Sequence, residues 1–314
     1  MIMRYWRSTY NSMYDADYIK NKLNESISVD IFDEIDSTNE EAKRRISDGQ
    51  KEDFVLVARM QTAGKGRKGR SFYSPMDTGI YLTYTHFTDD SVEQSLKTTV
   101  ATSVIARNAI KEATGLDCGI KWVNDLYLNG KKVCGILCEC ILKNTYDNDK
   151  NALIIGIGIN LTTSDYPEEI SDKAGSILDN SDFDYDCGTD SNFIHDSDCY
   201  PDSNFNSDSD CNLDLRVSNI QNSSNNMNKD IRNDIVSYII NGLEEFFLNK
   251  NYNYINDYRN SSLVLGKKVE LSDASGVFSR GTVKDIRDNG ELLLIDDDEN
   301  EQLIDSGEIS LIIL

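Results

Sequence analysis

The chain has 314 residues, which is long enough for two domains or for one large domain with a smaller appendage. It contains 54 Asp and Glu against 32 Lys and Arg, so its formal net charge is −22. This excess of negative charge argues against binding of nucleic acid or of anionic membranes through the overall field of the protein. The apolar runs are only as long as strands, so no membrane span is expected. The first residues, Met1 to Tyr14, lack the apolar centre and cleavage site of a secretory signal.

The cysteines and histidines indicate the cellular compartment of the protein and restrict the catalytic mechanisms it could use. The seven cysteines form no recognisable disulfide framework, which favours the reducing cytoplasm. Cys134, Cys138 and Cys140 share one face of a predicted strand. Without a histidine or a Cys-x-x-Cys pair beside them, they are interpreted as buried apolar residues rather than zinc ligands. Because His86 and His195 are the only histidines, a mechanism built on a histidine base is not expected.

Predicted helices and strands succeed one another along most of the chain. One helix starts near Ser37 or Thr38, where either side chain could cap it and Glu41 follows. The runs 133–142 and 152–161 are apolar on both faces, which is typical of central strands covered from both sides. The other predicted elements are helices over 15–26, 91–115 and 230–249, strands over 29–35, 54–58 and 79–87, a strand ending within 120–125, and tail strands over 267–271, 279–286, 291–296 and 309–314.

The segment 180–228 differs in composition from the rest of the chain. It holds 10 Asp, 10 Asn and 9 Ser, and a twelve-residue unit that begins at Cys187 is repeated within it. Asp182-x-Asp184-x-Asp186 has the spacing of a calcium loop, but the glycine and the glutamate that such a loop needs at its sixth and twelfth positions are absent. The segment is therefore predicted to be a disordered, low-complexity insertion.

The most basic part of the chain is the glycine-rich segment 61–70, called the glycine loop below. Four Lys or Arg and three glycines lie within Gly64–Arg70. Crowded backbone N–H groups and cationic side chains suit an anion, so a phosphate-bearing ligand is predicted. A nucleotide-binding P-loop is one alternative, but Phe72-Tyr-Ser-Pro75 follows where that loop requires a helix. A solvated basic turn or a nucleic-acid patch is a second alternative, and it lacks interleaved aromatic residues.

Six motifs, in the same order, resemble those of the biotin protein ligase family. They are Ser37-Thr38-Asn39, Gly64–Arg70 preceded by Gln61, Lys121-Trp-Val-Asn-Asp125, Lys131–Glu139, Ile155–Asn160 and Ser306–Ser310. The resemblance covers nearly all of the chain outside the insertion. It implies an α+β fold with a mixed central sheet flanked by helices, class II synthetase-like as in biotin and lipoate ligases, and a small C-terminal SH3-like β-barrel. The implied domains are a catalytic domain over 1–262, which contains the insertion, and the barrel over 263–314.

The sequence departs from the family pattern at a few positions. Val123 replaces a proline, which is expected to loosen the turn before Asn124, and Lys65 replaces an arginine with its charge kept. Phe72 stands where some members have tryptophan, and it still offers an aromatic face to adenine. The tail lacks an arginine after 306–310, which puts a contribution of the tail to ATP or partner binding in question. About 30 residues precede the first core strand, too few for a DNA-binding helix-turn-helix, so a monofunctional ligase that binds no DNA is expected.

The resemblance implies ATP-dependent ligation of biotin to protein in two steps. The carboxylate of biotin attacks the α-phosphate of ATP, which gives biotinyl-5′-AMP and pyrophosphate. The adenylate then acylates a lysine of a biotin carboxyl carrier protein or domain. The implied ligands are ATP with Mg²⁺ and biotin as substrate, with no tightly bound prosthetic group. The implied partner is the carrier of a biotin-dependent carboxylase, and the enzyme itself is expected to be a monomer or a homodimer.

The site residues implied by the resemblance follow the matched motifs. Lys132, with Arg67 as the second catalytic residue, would bridge the biotin carboxylate and the α-phosphate, and a solvated hairpin lysine is the alternative. Asp125 would bind Mg²⁺, with a structural turn as the alternative, and Trp122 is expected to pack rather than to bind. Biotin would be bound by Ser37, Thr38, Asn39, Gln61, Gly64, Lys65, Gly66, Arg67, Lys132, Gly135 and Gly156, and ATP by Arg67, Arg70, Phe72, Asn124, Asp125, Lys132 and Asn160.

Two other functions stay open from the sequence alone. A lipoate–protein ligase shares the architecture and the adenylate chemistry, although the glycine loop and the β tail follow the biotin pattern. A non-catalytic biotin or nucleotide sensor would keep the pocket, and the presence of Lys132, Arg67 and Asp125 argues against it. The sequence offers no clear general base for the transfer step.

Overall fold

A seven-stranded sheet forms the centre of the protein, in a computed structural model that describes residues 14–24, 27–89, 95–146, 149–178, 213–249, 254–273, 275–305 and 310–314. Its strands are β1 (Ser28–Phe32), β2 (Phe54–Ala58), β3 (Gly79–Thr88), β4 (Gly119–Lys121), β5 (Asp125–Leu128), β6 (Lys131–Ile141) and β7 (Asn151–Asn160). They lie in the order β1-β2-β3-β7-β6-β5-β4. The pair β1–β2 is parallel and the other neighbouring pairs are antiparallel, so the sheet is mixed, as predicted.

Helices cover the sheet on both faces. They are α1 (Ala16–Lys22), α2 (Thr38–Ser47), α3 (Ser95–Thr114), α4 (Glu168–Ser171), α5 (Leu213–Leu248) and α6 (Tyr254–Asn260). Side chains alternate between the two faces of a strand: Phe54 and Leu56 pack with α2, whereas Val55 and Val57 join the main core with α3 and α5. All of β2 is therefore buried. Among the described residues, no helix combines the length and the apolarity that a membrane crossing requires.

A second, antiparallel sheet is formed by the last fifty residues. Its strands are β8 (Lys268–Asp273), β9 (Gly276–Ile286), β10 (Leu292–Asp296), β11 (Glu301–Ile304) and β12 (Ser310–Ile313), in the order β11-β10-β9-β8-β12. Four of these strands match predicted ones. Strand β11 was not predicted, because its four residues are too few for the alternation of polar and apolar side chains to be recognised. The mixed α+β architecture with an additional C-terminal β-sheet confirms the predicted fold class.

The long helix α5 changes one predicted boundary. The sequence predicts disorder over 180–228 and a helix from Asp230, whereas α5 already begins at Leu213, so the prediction is wrong for the last part of the insertion. Apolar residues recur at helical spacing in this part of the sequence, but the many Asn and Ser between them make the pattern hard to recognise. The remainder of the predicted insertion, 180–212, and residues 306–309 of the tail motif lie outside the described residues.

Candidate functional site

A cavity of about 640 Å³ opens beside the central sheet. Its walls come from β3, β5, β6 and β7, the first turn of α2, the glycine loop, the segment 166–174, and residues Leu311 and Ile312 of β12. Five of the six motifs thus contribute residues to one cavity, although Gly64 of the glycine loop does not line it. The predicted site residues that line the cavity are Ser37, Thr38, Asn39, Gln61, Lys65, Gly66, Arg67, Arg70, Phe72, Asn124, Asp125, Lys132, Gly135, Gly156 and Asn160.

One end of the cavity is polar and buried, and we call it the polar end. It is formed by Ser37, Thr38, Asn39 and Gln61, of which the first three are only 2%, 3% and 4% exposed. The backbone N–H and the hydroxyl of Thr38 both donate to Gln61 Oε1, over 2.9 and 3.1 Å. Ser37 is the N-cap residue of α2, but its side chain makes no capping hydrogen bond. The Ser37 hydroxyl is therefore available to a ligand, and helix capping does not account for it.

The amide of Asn39 has one fixed orientation at the polar end. Thr83 Oγ1 donates to Asn39 Oδ1 over 2.6 Å, and Asn39 Nδ2 donates to Glu139 Oε2 over 2.9 Å. One N–H of Asn39 is left for a ligand. Gly156 is needed for this arrangement, because a Cβ there would overlap the Asn39 side chain. Glycine at 156 thus makes room for a polar side chain of the site.

The glycine loop folds back on itself as a hairpin. Phe72 N donates to Gly64 O over 2.9 Å, and Gly66 N donates to Arg70 O over 2.8 Å. A Cβ at Gly64 would lie 2.5 Å from Phe72 O and 2.7 Å from Ser74 Oγ. The structure therefore places Gly64 in the closure of the hairpin and not in the wall of the cavity.

The cations of the glycine loop point to two sides of the cavity. Arg67 Nη1 donates to Asn124 Oδ1 over 3.3 Å, and Lys65 Nζ lies 2.8 Å from Glu40 Oε1. Burial lowers the pKa of the Arg67 guanidinium, although the neighbouring Asp125 acts in the opposite direction. An arginine remains charged even so. Arg67 therefore holds a partly desolvated positive charge where an anion can enter.

Lys132 lines the cavity and is paired with Asp125. Its Nζ is 2.6 Å from Asp125 Oδ1, with both side chains about one-quarter to one-third exposed. The backbone of Lys132 also pairs with the segment 173–175, since Lys132 N donates to Lys173 O and Gly175 N donates to Lys132 O. This double anchoring differs from a solvated hairpin lysine, and it directs the ammonium group into the cavity.

The ring of Phe72 lies between two glycines of adjacent strands. A Cβ at Gly158 would come within 2.5 Å of the Phe72 ring, and one at Gly135 would lie 3.4 Å from it. The same Gly135 Cβ would lie 3.2 Å from Lys132 Nζ. Gly135, predicted to admit biotin, thus also makes room for Phe72 and Lys132. Gly158 plays a similar part, which the sequence analysis did not single out.

The turn before Asn124 is firmly held, so the predicted loosening by Val123 is wrong. The Val123 carbonyl accepts hydrogen bonds from the Tyr258 hydroxyl over 3.0 Å and from Ser103 Oγ over 3.3 Å. Asn124 Nδ2 donates to the carbonyl of residue 136 over 2.7 Å. Trp122 is buried, as predicted, and its Nε1 donates to the carbonyl of Gly290, in the second sheet, over 3.0 Å.

Several residues that the sequence analysis missed also line the cavity. Lys121 Nζ lies 5.3 Å from the centre of the Tyr127 ring, and burial lowers the pKa of Lys121. Lys173 comes from the segment after β7, where Asn160 Nδ2 donates to Gly175 O over 3.1 Å. Lys121 could have been found, since it opens a matched motif. Isolated tyrosines and lysines such as Tyr127 and Lys173 carry no signal in the sequence.

The described residues contain no group of three or more His, Cys, Asp or Glu side chains placed to bind a metal. Cys118, Cys134, Cys138 and Cys140 are free thiols, and burial raises the pKa of Cys118 and of Cys138 to about 11. These thiols are therefore mostly protonated at neutral pH, which suits apolar packing better than metal ligation. Asp125 is a single carboxylate, which suits an ion whose other ligands are water and phosphate.

The glycine loop and the cavity-lining residues of β3, β6 and β7 all lie within one segment that matches a known family of protein ligases. The model of the biotin/lipoate A/B protein ligase family matches residues 31–160, and that of the biotin protein ligase C terminal domain matches residues 264–312. Together the two matches cover more than half of the chain. The chain belongs to the biotin protein ligase family.

Similar proteins include bacterial biotin ligases that match different shares of this chain. The bifunctional ligase/repressor BirA of Bacillus subtilis is 33% identical over 147 residues, which are 46% of this chain and 44% of that protein. The biotin–[acetyl-CoA-carboxylase] ligase of Mycobacterium tuberculosis is 26% identical over 274 residues, or 85% of this chain and 82% of that protein. The matched region thus spans less than half the length of the BirA relatives.

The fold is shared with a solved structure. The biotin protein ligase from Aquifex aeolicus, in complex with biotin and ATP, superposes with a TM-score of 0.61 at 23% identity. The match covers 91% of this chain and 99% of that chain. At this level of identity the likeness shows the fold, which includes both sheets.

Proposed function

We propose that the protein is an ATP-dependent biotin protein ligase. It forms biotinyl-5′-AMP from biotin and ATP and then transfers biotin to a lysine of a biotin carboxyl carrier protein or domain. The observation that carries this proposal is the polar end of the cavity, where Ser37, Thr38 and Asn39 are almost fully buried beside Gln61. Polar groups that converge on a cavity favour a ligand with matching donors and acceptors. The proposal agrees with the similarity of this chain to the ligase of Mycobacterium tuberculosis and to the Aquifex aeolicus ligase in complex with biotin and ATP.

The polar end distinguishes biotin from lipoate on physical grounds. The ureido ring of biotin offers two N–H donors and a carbonyl acceptor, which match the Ser37 hydroxyl and the free N–H of Asn39. The dithiolane ring of lipoate offers neither, so these buried groups would stay unpaired at a cost of about 1–3 kcal/mol each. Sites built to hydrogen-bond a ligand reject an analogue without those groups by a factor of about 10⁴–10⁵.

Adenylate formation brings a carboxylate anion to a polyanion, so charge neutralisation is the main task. Arg67 and Arg70 on the glycine loop and Lys132 on β6 all line the cavity. In this proposal Lys132 binds both the biotin carboxylate and the α-phosphate, and Arg67 stabilises the charge that develops in the transition state. Phe72 would present its ring to adenine, and the hairpin of the glycine loop would shield the mixed anhydride from water.

Asp125 has two tasks in the proposed reaction. Its Oδ1 holds Lys132 Nζ in place at 2.6 Å, and its second oxygen would bind Mg²⁺ together with phosphate oxygens and water. The ion would supply further neutralisation of the triphosphate. In the transfer step, the target lysine of the carrier must reach the adenylate inside the cavity, whose walls include Lys121 and Lys173.

One experiment separates the proposed function from its alternatives. The protein is incubated with ATP, Mg²⁺, an apo carrier domain and either biotin or lipoate, and the carrier is weighed by mass spectrometry. A mass gain from biotin alone supports the proposal, and a lipoyl gain supports a lipoate ligase. No gain, together with calorimetric binding of biotin, would support a sensor. A carrier in which the target lysine is replaced by arginine is the control.

A further inference from the structure

Four side chains of alternating charge form a continuous series that begins at Lys65, in the wall of the cavity. Lys65 Nζ of the glycine loop lies 2.8 Å from Glu40 Oε1, and the same oxygen lies 2.8 Å from Lys43 Nζ. Lys43 Nζ also lies 2.8 Å from Glu139 Oε1 on β6. We call Lys65–Glu40–Lys43–Glu139 the ion-pair chain. It connects the glycine loop, the first turns of α2 and the central sheet.

The inner end of the ion-pair chain is bonded to the polar end of the cavity. The second oxygen of Glu139 accepts the hydrogen bond from Asn39 Nδ2 over 2.9 Å. If the amide of Asn39 turned over, its oxygen would face the Glu139 carboxylate and this hydrogen bond would be lost, whereas the Thr83 hydroxyl could accept instead of donate. Glu139 therefore determines which group Asn39 offers to a ligand.

The ion-pair chain is better sheltered than an ordinary surface ion pair. The side chains of Glu40, Lys43 and Glu139 are 27%, 31% and 30% exposed, whereas Lys65 at its outer end is 48% exposed. The hydrogen bonds from Lys43 and then from Lys65 lower the pKa of Glu40. Glu40 is therefore a carboxylate shared by the loop and the helix, and each of its two partners depends on its charge.

We propose that Glu40, Lys43 and Glu139 are positioning residues, which hold the glycine loop against α2 and hold Asn39 in its binding orientation. Glu40 acts on the loop through Lys65, and Glu139 acts on the ligand through Asn39, with Lys43 between them. The proposal rests on the proposed function only for the identity of the ligand. A neighbouring carboxylate, Glu41, provides a matched control, because it pairs with Arg44 and Arg45 of α2 instead of with Lys65 of the glycine loop.

The contact between Glu40 and the glycine loop can be tested without any ligand, by limited digestion with trypsin. Trypsin cleaves after Arg67, Lys68 and Arg70, and such cleavage follows the population of open loop when opening is fast. Glu40→Gln should speed cleavage at these three bonds by about 1.5- to 5-fold, the range for partly exposed ion pairs. Glu41→Gln should leave the rate unchanged. Thermal melting of each variant separates loop opening from global unfolding.

The same substitution in a Lys65→Met variant shows whether Glu40 acts through Lys65. Lys65→Met should itself speed cleavage, and adding Glu40→Gln to it should bring little further change, because the contact is already lost. Cleavage of Glu40→Gln at the wild-type rate would overturn the proposal. Equal acceleration by Glu40→Gln in the presence and absence of Lys65 would overturn it as well.

The effect of Glu139 on the orientation of Asn39 is tested by measuring the affinity for biotin by calorimetry. Glu139→Leu should weaken biotin binding by about tenfold or more, since a hydrogen bond to a charged acceptor is lost. Glu139→Gln keeps an acceptor oxygen and should recover part of this loss. If Glu139→Leu binds biotin as the wild type does, Glu139 has no positioning role. If the wild type binds no biotin, the proposed function fails, while the tryptic result still decides the hold on the loop.

Discussion

Replacement of Gly156 by alanine tests the packing of the polar end most directly. The new Cβ would lie 2.9 Å from Cγ and Nδ2 of Asn39 and would overlap its Oδ1. Asn39 must then withdraw and give up its hydrogen bond to Glu139. A hydrogen bond to a charged acceptor contributes about 1.5–3 kcal/mol. At about 1.4 kcal/mol for each factor of ten, biotin affinity should fall by about 10- to 100-fold.

The assay is calorimetric titration with biotin, together with thermal melting to show that the variant is folded. The control is the same substitution in an Asn39→Ala background. Shortening residue 39 removes the atoms that the new methyl group would meet, so Gly156→Ala should be almost neutral there. Equal losses of affinity in both backgrounds would refute the reasoning, because the cause would then lie outside the contact of Gly156 with Asn39.

Three further predictions concern the rest of the site. Lys132→Ala should abolish biotinyl-adenylate formation without lowering the melting temperature, whereas Lys131→Ala, on the same strand, should keep it; wild-type turnover of the first variant would exclude the proposed role. Trp122→Phe leaves the Gly290 carbonyl without its donor, so the free energy of unfolding measured with urea should fall by about 1–3 kcal/mol, and an unchanged midpoint would contradict this. Burial raises the pKa of Cys118 to about 11, so only about one thiol in a thousand is ionised at pH 8. Its alkylation by iodoacetamide should therefore be slow and accelerate towards pH 10, and a rate equal to that of free cysteine would argue against burial.

The sequence predicted well what depends on neighbouring residues. The strands β6 and β7 were recognisable because both are long, mostly apolar runs near the middle of the sheet; β7 is almost entirely buried, whereas most of β6 is half-buried. The glycine loop stood out because its cations and glycines are consecutive. Each motif could be placed on an element, and the order of the motifs indicated the family. The residues that come from single positions, such as Lys173 and Tyr127, had no such pattern.

What the sequence could not show depends on residues far apart in the chain. The loss of a proline at Val123 suggested a loose turn, but Tyr258 of α6, 135 residues further on, holds the Val123 carbonyl. The hydrogen bond from Asn39 to Glu139 likewise joins residues that are far apart in the chain, here by 100 positions. The early start of α5 was concealed by an unusual local composition. These contacts arise from tertiary packing, for which a single sequence gives no pairing information.

The hydrogen bond between Trp122 and Gly290 joins the floor of the cavity to the second sheet. Leu311 and Ile312 of that sheet also line the cavity. The C-terminal sheet is thus part of the structure that forms the cavity. A shortened version of the protein that ends before β8 would lose both the hydrogen bond to Trp122 and the two residues that β12 adds to the cavity wall, and a minimal version of this chain would have to replace them.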